Sequence, residues 1–250
     1  MRHGPALATA FTNLGIPDRP YRDGRSDRRR HARVARSIGD YVCLSSFAAE
    51  ALQRDFGRPG TVVGGGVDVP AYVVTDARDP RPTVLYSGSL DDPRKNVAEL
   101  LATAVRLRAR VPDLQVWLSG PGDADALIAK VPGAAQVVTA AALDDAAALA
   151  ERYRRAWVTA LPSHSEAFGL ALVESLASGT PVLARSDSGS RDVVTPETGI
   201  SVAVDVWDDE LATALDLAHR PDIADACRAR ALDFDWDTRI TPLLEKSYGL

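Results

Sequence analysis

Beyond residue 82 the chain alternates short, largely apolar runs with longer stretches in which apolar residues recur every three or four positions. The runs are TVLYSG (83–88), LQVWLSG (114–120), AQVVTA (135–140), WVTALPS (157–163), TPVLA (180–184) and GISVAV (199–204). Runs without polar alternation mark strands covered on both faces, which calls for a parallel sheet with helical crossovers. Helical periods at 96–110, 143–155 and 169–178 supply those crossovers. The pattern predicts an α/β fold, a Rossmann-like doubly wound parallel sheet spanning 83–235. More helices are expected from Asp208 onward, two of them separated by Pro221, with a final C-terminal helix over 236–250.

Residues 5–66 also read as α/β, with strand PALATAF, an Arg-rich helix, strand DYVCLSS, helix SFAAEALQRDFG and strand TVVGGGVD. Ordinary domains run to roughly 100 residues or more, so 1–70 is read as a partial second domain. The Pro-rich residues 71–82 are read as its linker.

Composition narrows the class. With 46% hydrophobic and 25% charged residues in 250, the chain has the material for a core. It holds no apolar run near the ~18 residues that span a bilayer, and no secretory layout is evident at the start, so a cytoplasmic address is expected. Cys43 and Cys227 lack a metal or disulfide spacing. The net charge is −5, yet residues 1–40 hold nine Arg against four Asp, eight of the arginines between Arg19 and Arg36. That segment reads foremost as the solvated face of a helix, ahead of a peripheral membrane contact through 19–36. Nucleic acid ranks lowest, because Tyr21 is the one Phe, Tyr or Trp among the arginines and the chain as a whole is acidic.

The stretch HSEAFGLALVESLASGTPVLARSDSG (164–189) is apolar but carries Glu166 and Glu174. On a helix starting near Gly169, Glu174 is surrounded by Leu170, Ala171, Ala177 and Ser178 at three- and four-residue spacing. Burying an unpartnered carboxylate costs several kcal/mol, at least about 3. Glu174 therefore awaits either an arginine from a neighbouring helix or the hydroxyls of a ligand. Glu166 has two readings as well. Ser163-His-Ser-Glu166 fits a capping box, and the same carboxylate stands at a strand's carboxyl end, where a helix N-terminus favours phosphate. His164 alone carries little weight as a base.

EAFGLALVE, preceded by LPS and followed by SLASGTPVLA, resembles the Glu-x7-Glu motif of retaining glycosyltransferases of the GT-B fold, the group 1 glycosyl transferases. The resemblance extends through VLYSGSLDDPRKN (84–96), VWLSGPGD (116–123), ALAERYRRAWVTALPS (148–163) and FDWD (234–237). It implies transfer of a hexosyl group from a nucleotide-diphosphate sugar, with a UDP, GDP or ADP leaving group, to an unidentified acceptor with retention of configuration. It also implies no cofactor and no metal. Lys95 would meet the diphosphate and Glu166 the sugar hydroxyls, the two catalytic candidates. Gly88 and Ser89 would form the phosphate loop, and the amides of Phe168, Gly169 and Leu170 would face sugar and phosphate. Glu174 would bind the ribose, and the backbone of Val138 and Thr139 would border the base.

Two departures stand out. Ser89 occupies the place where the family usually has arginine, leaving Arg94 as a substitute charge, and the acceptor-side domain is represented by only part of its length. His3 does not match the family's catalytic histidine. An enzyme read from an incomplete chain therefore competes with a nucleotide-sugar-binding subunit needing a separate acceptor-binding chain, and with a sugar-nucleotide epimerase of the same fold. Association with a partner chain or with itself is expected, since such a half exposes its cleft face.

Overall fold

The computed structural model describes residues 39–75, 77–203 and 207–248. Six parallel strands form its main sheet: β3 (Thr83–Ser87), β4 (Gln115–Ser119), β5 (Val138–Ala142), β6 (Val158–Leu161), β7 (Val182–Arg185) and β8 (Gly199–Val202). Two short strands precede them, β1 (Val42–Cys43) and β2 (Thr61–Val62). The sheet order β5-β4-β3-β6-β7-β8 is doubly wound, as the sequence pattern predicts. The chain grows outward from β3 in one direction and from β6 in the other. The crevice beyond their carboxyl ends is the topological switch point, where this architecture places ligands.

The crossover helices follow the apolar periods. Helix α2 (Val97–Leu107) buries Leu100, Leu101 and Leu107 at 0–1% exposure, each contributing roughly 1.5–3 kcal/mol. Helices α4 (Ala146–Arg155) and α5 (Leu170–Ala177) start close to their expected positions. A further helix, α3 (Ala124–Lys130), joins β4 to β5 and was not anticipated. It has seven residues, too few for a periodic signal, and Asp123 caps it by accepting the Ala126 N–H. The strand expected at 135–140 begins later, at Val138, after a 3-10 turn over Ala134–Gln136. VTAAA is an alanine-rich edge strand with alternating exposure, so the preceding valines drew the expectation forward.

The segment expected as a linker is firmly held. Arg78 donates to the Ala156 carbonyl, the Thr180 hydroxyl and the Gly179 carbonyl. Asp79 accepts from Gln115 and pairs with Arg155 at 2.8 Å. After α6 (Asp208–Leu217) and α7 (Ile223–Ala231), a π-type turn at Trp236–Ile240 leads into α8 (Thr241–Tyr248). Among the described residues no helix is long and apolar enough to cross a membrane. The expected PALATAF strand and the basic stretch 19–36 lie outside the described residues.

In the N-terminal part, β1 and β2 pair in parallel around α1 (Ser46–Phe56). The start of α1 rests on the main domain. Ser45 Oγ caps α1 by accepting the Ala48 N–H and donates at 2.6 Å to the Ala167 carbonyl, while the Ser46 amide and hydroxyl both bond Asp192. The few described residues of the N-terminal part thus brace the loop that carries Glu166.

Candidate donor-binding site

β3 delivers the chain to Gly88 and Ser89, where the Tyr86 hydroxyl donates to the Ser89 carbonyl at 2.9 Å and the Gly88 N–H donates to the Ser119 carbonyl at 2.8 Å. The turn Pro93–Lys95 then leads into α2. β6 delivers the facing loop, 162–169. A bond from the His164 N–H to the Arg94 carbonyl, 2.8 Å long, ties the two loops together. Lys95 Nζ consequently reaches Glu166 Oε2 at 2.6 Å, with the two side chains 22% and 15% exposed. Both candidate catalytic residues, distant in sequence, meet at the switch point.

The backbone is strained on either side of this contact. Asn96 and Ser165, with φ of 51° and 54°, are the non-glycine residues with left-handed backbone among those described, and each adjoins one member of the pair. Such conformations cost roughly 1–3 kcal/mol and persist where the surroundings impose them. Gly189 is part of those surroundings. Its N–H donates to the Glu166 carbonyl at 2.7 Å, and a Cβ there would stand 2.1 Å from the Ala167 oxygen.

The capping reading of Glu166 does not hold. α5 begins at Leu170 with Gly169, at φ 98°, as its cap and no side-chain capping bond. Glu166 Oε1 accepts the neighbouring Ala167 N–H, at 3.2 Å, and the Ser163 hydroxyl, in a residue 2% exposed, has no partner among the described residues. α5 therefore starts four residues after Glu166 without a side-chain cap, and its Leu172 N–H donates to the Gly169 carbonyl at 2.9 Å. Phe168 is buried edge-on against Phe234, while Leu170 is exposed.

Glu174 lines a crevice of about 440 Å³ together with Asp68, Tyr72, Leu170 and Ala150. The partner it draws from the adjacent helix is a phenol, not a guanidinium. Tyr153 on α4, fully buried, donates to Glu174 Oε2 at 2.8 Å. Burial pushes the Glu174 pKa above the usual carboxylate range, and the Tyr153 hydrogen bond pulls it partly back. Across the crevice, burial and the charges of Glu174 and Asp68 push the Tyr72 hydroxyl up to about 12. Tyr153, Tyr72 and Asp68 were not singled out in the sequence. The signal for Tyr153 was the lone aromatic in ALAERYRR, a helix made otherwise of small, charged and leucine residues.

Two of the expected site residues stand elsewhere, and one is already engaged. Val138 and Thr139 open β5 at its amino end, and the Thr139 hydroxyl donates to Gln115 at the start of β4. Four residues of strand, about 13 Å, separate Val138 from the carboxyl edge. The strand reaches that edge at Ala142, whose carbonyl accepts the Gly120 N–H. The expectation failed because the strand starts later than the valines suggest. Arg94, the proposed substitute charge, is held in a fork by Asp92, with contacts of 3.2 and 2.5 Å.

Comparison with known proteins identifies the family and the fold. The family described as "Glycosyl transferases group 1" matches residues 73–231. A phosphatidyl-myo-inositol mannosyltransferase of Mycolicibacterium smegmatis is 31% identical over 205 residues, covering 78% of this chain and 53% of that protein. An MMP alpha-(1->4)-mannosyltransferase of Mycolicibacterium hassiacum is 34% identical over 190 residues, covering 73% and 46%. The chain thus spans about half the length of the curated relatives it matches. Among solved structures, sucrose-phosphate synthase from Thermosynechococcus elongatus superposes with a TM-score of 0.79 at 24% identity, covering 96% of this chain and 66% of that one. Anabaena HepE in complex with UDP and glucose gives 0.75 at 19%, covering 91% and 68%, and these structural likenesses establish the fold. With more than half of its length matched by the family and the doubly wound sheet in place, the chain belongs to the group 1 glycosyl transferases.

Proposed function

We propose that this chain binds a nucleotide-diphosphate sugar in the switch-point crevice and serves hexosyl transfer with retention of configuration. The observation that carries the reading is the Lys95–Glu166 contact of 2.6 Å at the amino end of α5. A cation and a carboxylate held together there, close in sequence to a helix N-terminus, are poised to exchange each other for a diphosphate and for sugar hydroxyls. Lys95 and the α5 amides would stabilise the departing diphosphate as charge builds on it, in place of a metal ion. Glu166 would hold the sugar, and Glu174 would accept hydrogen bonds from the ribose.

A second reading is a donor-binding subunit that transfers only with a separate acceptor-binding chain; this chain spans 53% and 46% of the lengths of the two mannosyltransferases. Calorimetric titration with UDP, GDP and ADP and their hexosyl donors tests the first step of both. Binding of at least one nucleotide is expected. Absence of binding to all of them would remove the donor site, and robust transfer would remove the subunit reading.

A further inference from the structure

We infer that Tyr153 is a positioning residue for Glu174: its phenol holds one carboxylate oxygen and leaves the other turned to the crevice. The inference rests on the reading of Glu174 as a hydrogen-bond acceptor for the nucleoside. Tyr153 is fully buried, its ring packed with Leu85, Trp117 and Ala156, and its own carbonyl is fixed by the Thr180 hydroxyl at 2.7 Å. The ring therefore has one place to be. Its hydroxyl meets Glu174 Oε2 at 2.8 Å and also hydrogen-bonds the side chain of Ser87.

An ionised carboxylate only accepts, so the phenol must donate to Glu174 and accept from Ser87. The result is a directed chain, Ser87 to Tyr153 to Glu174, that begins on the last residue of β3 beside the Gly88–Ser89 loop. A single neutral donor suits this task better than arginine. A guanidinium would engage both oxygens and cancel the charge, whereas the phenol fixes the group and leaves one strong acceptor free. The groups facing Glu174 are Tyr153 from α4, Tyr72 and Asp68 from the segment after β2, and Ser87 through Tyr153. In this set Tyr153 donates directly to the carboxylate and opposes the effect of burial.

Tyr153→Phe keeps the ring and removes the donor. The nucleoside diphosphate that binds best among UDP, GDP and ADP is expected to bind about tenfold more weakly at neutral pH. Without the hydroxyl, burial acts unopposed on Glu174, so the loss of affinity on acidification is expected to set in at a higher pH than in the parent. Glu174→Gln has no such acid limb, and adding Tyr153→Phe to it should change affinity little. Ser87→Ala should move the limb in the same direction by less, and it carries the test if the Phe variant fails to fold. Two results would show that Tyr153 only supports the core and overturn the inference. One is an unmoved limb in the variants that fold; the other is an equal loss of affinity from Tyr153→Phe whether or not Glu174→Gln is also present. If Glu174→Gln binds nucleotide like the parent, the reading of Glu174 itself is at fault.

Discussion

Lys95→Ala weakens binding of a nucleoside diphosphate by on the order of 100-fold, because one charge-assisted contact to phosphate is lost and Glu166 is left as a bare negative charge nearby. The same variant loses stability, since Glu166 is 15% exposed and keeps the Ala167 amide in place of a cation. Glu166→Gln separates the roles of the pair. With the ion pair gone, Lys95 no longer has to leave a partner before meeting phosphate, so bare nucleoside diphosphate binds as well as before or better. The sugar nucleotide loses about tenfold, the value of one hydrogen bond to a charged acceptor. Parallel titrations of both ligands check this. Equal tightening of the two would mean that Glu166 merely restrains Lys95 and never touches the sugar.

Glu174→Gln is the second large effect expected, a loss of about tenfold or more in nucleotide affinity with the fold intact. The stability side follows from the raised pKa of Glu174 in the fold. A carboxyl whose folded pKa lies above its unfolded value contributes stability below the unfolded pKa, and that contribution is lost as pH rises through the folded one. Glutamine keeps a carbonyl oxygen for the Tyr153 hydroxyl and has no charge to desolvate. The variant's melting temperature should therefore equal or exceed the parent's at neutral pH, and the difference should close in acid. Thermal melts and calorimetry on the same protein check both halves. A large loss of stability with unchanged affinity would take Glu174 out of the site.

The sheet was legible because six apolar runs lacking polar alternation leave a parallel, doubly covered sheet as the solution. The site's skeleton was legible for a related reason, since carboxylates inside apolar runs ask for partners and Glu166 and Glu174 stood out on that ground. What the sequence hid was who those partners are. The Lys95–Glu166 contact joins loops 71 residues apart and depends on the backbone bond between His164 and Arg94. Tyr153 comes from a helix whose other side chains gave no hint that it is buried. The capping box at Ser163 was a true sequence match that tertiary structure overrode, as α5 starts four residues after Glu166. Val138 and Thr139 were misplaced through a strand boundary, the least certain feature where alanines replace β-branched residues. Composition did not reveal how firmly 71–82 is held, because Arg78 and Asp79 find partners that prolines on either side do not announce.

Whether the Lys95–Glu166 pair and Glu174 are the two ends of one donor site is decided by a crystal structure of the full chain with the best-binding nucleoside diphosphate. The terminal phosphate is expected against Lys95 Nζ and the α5 amides, with the Lys95–Glu166 contact opened and ribose hydroxyls on Glu174, Tyr153 still bonded to its other oxygen. A nucleotide seated elsewhere, or one bound with the Lys95–Glu166 contact intact, would contradict a single site built on these residues.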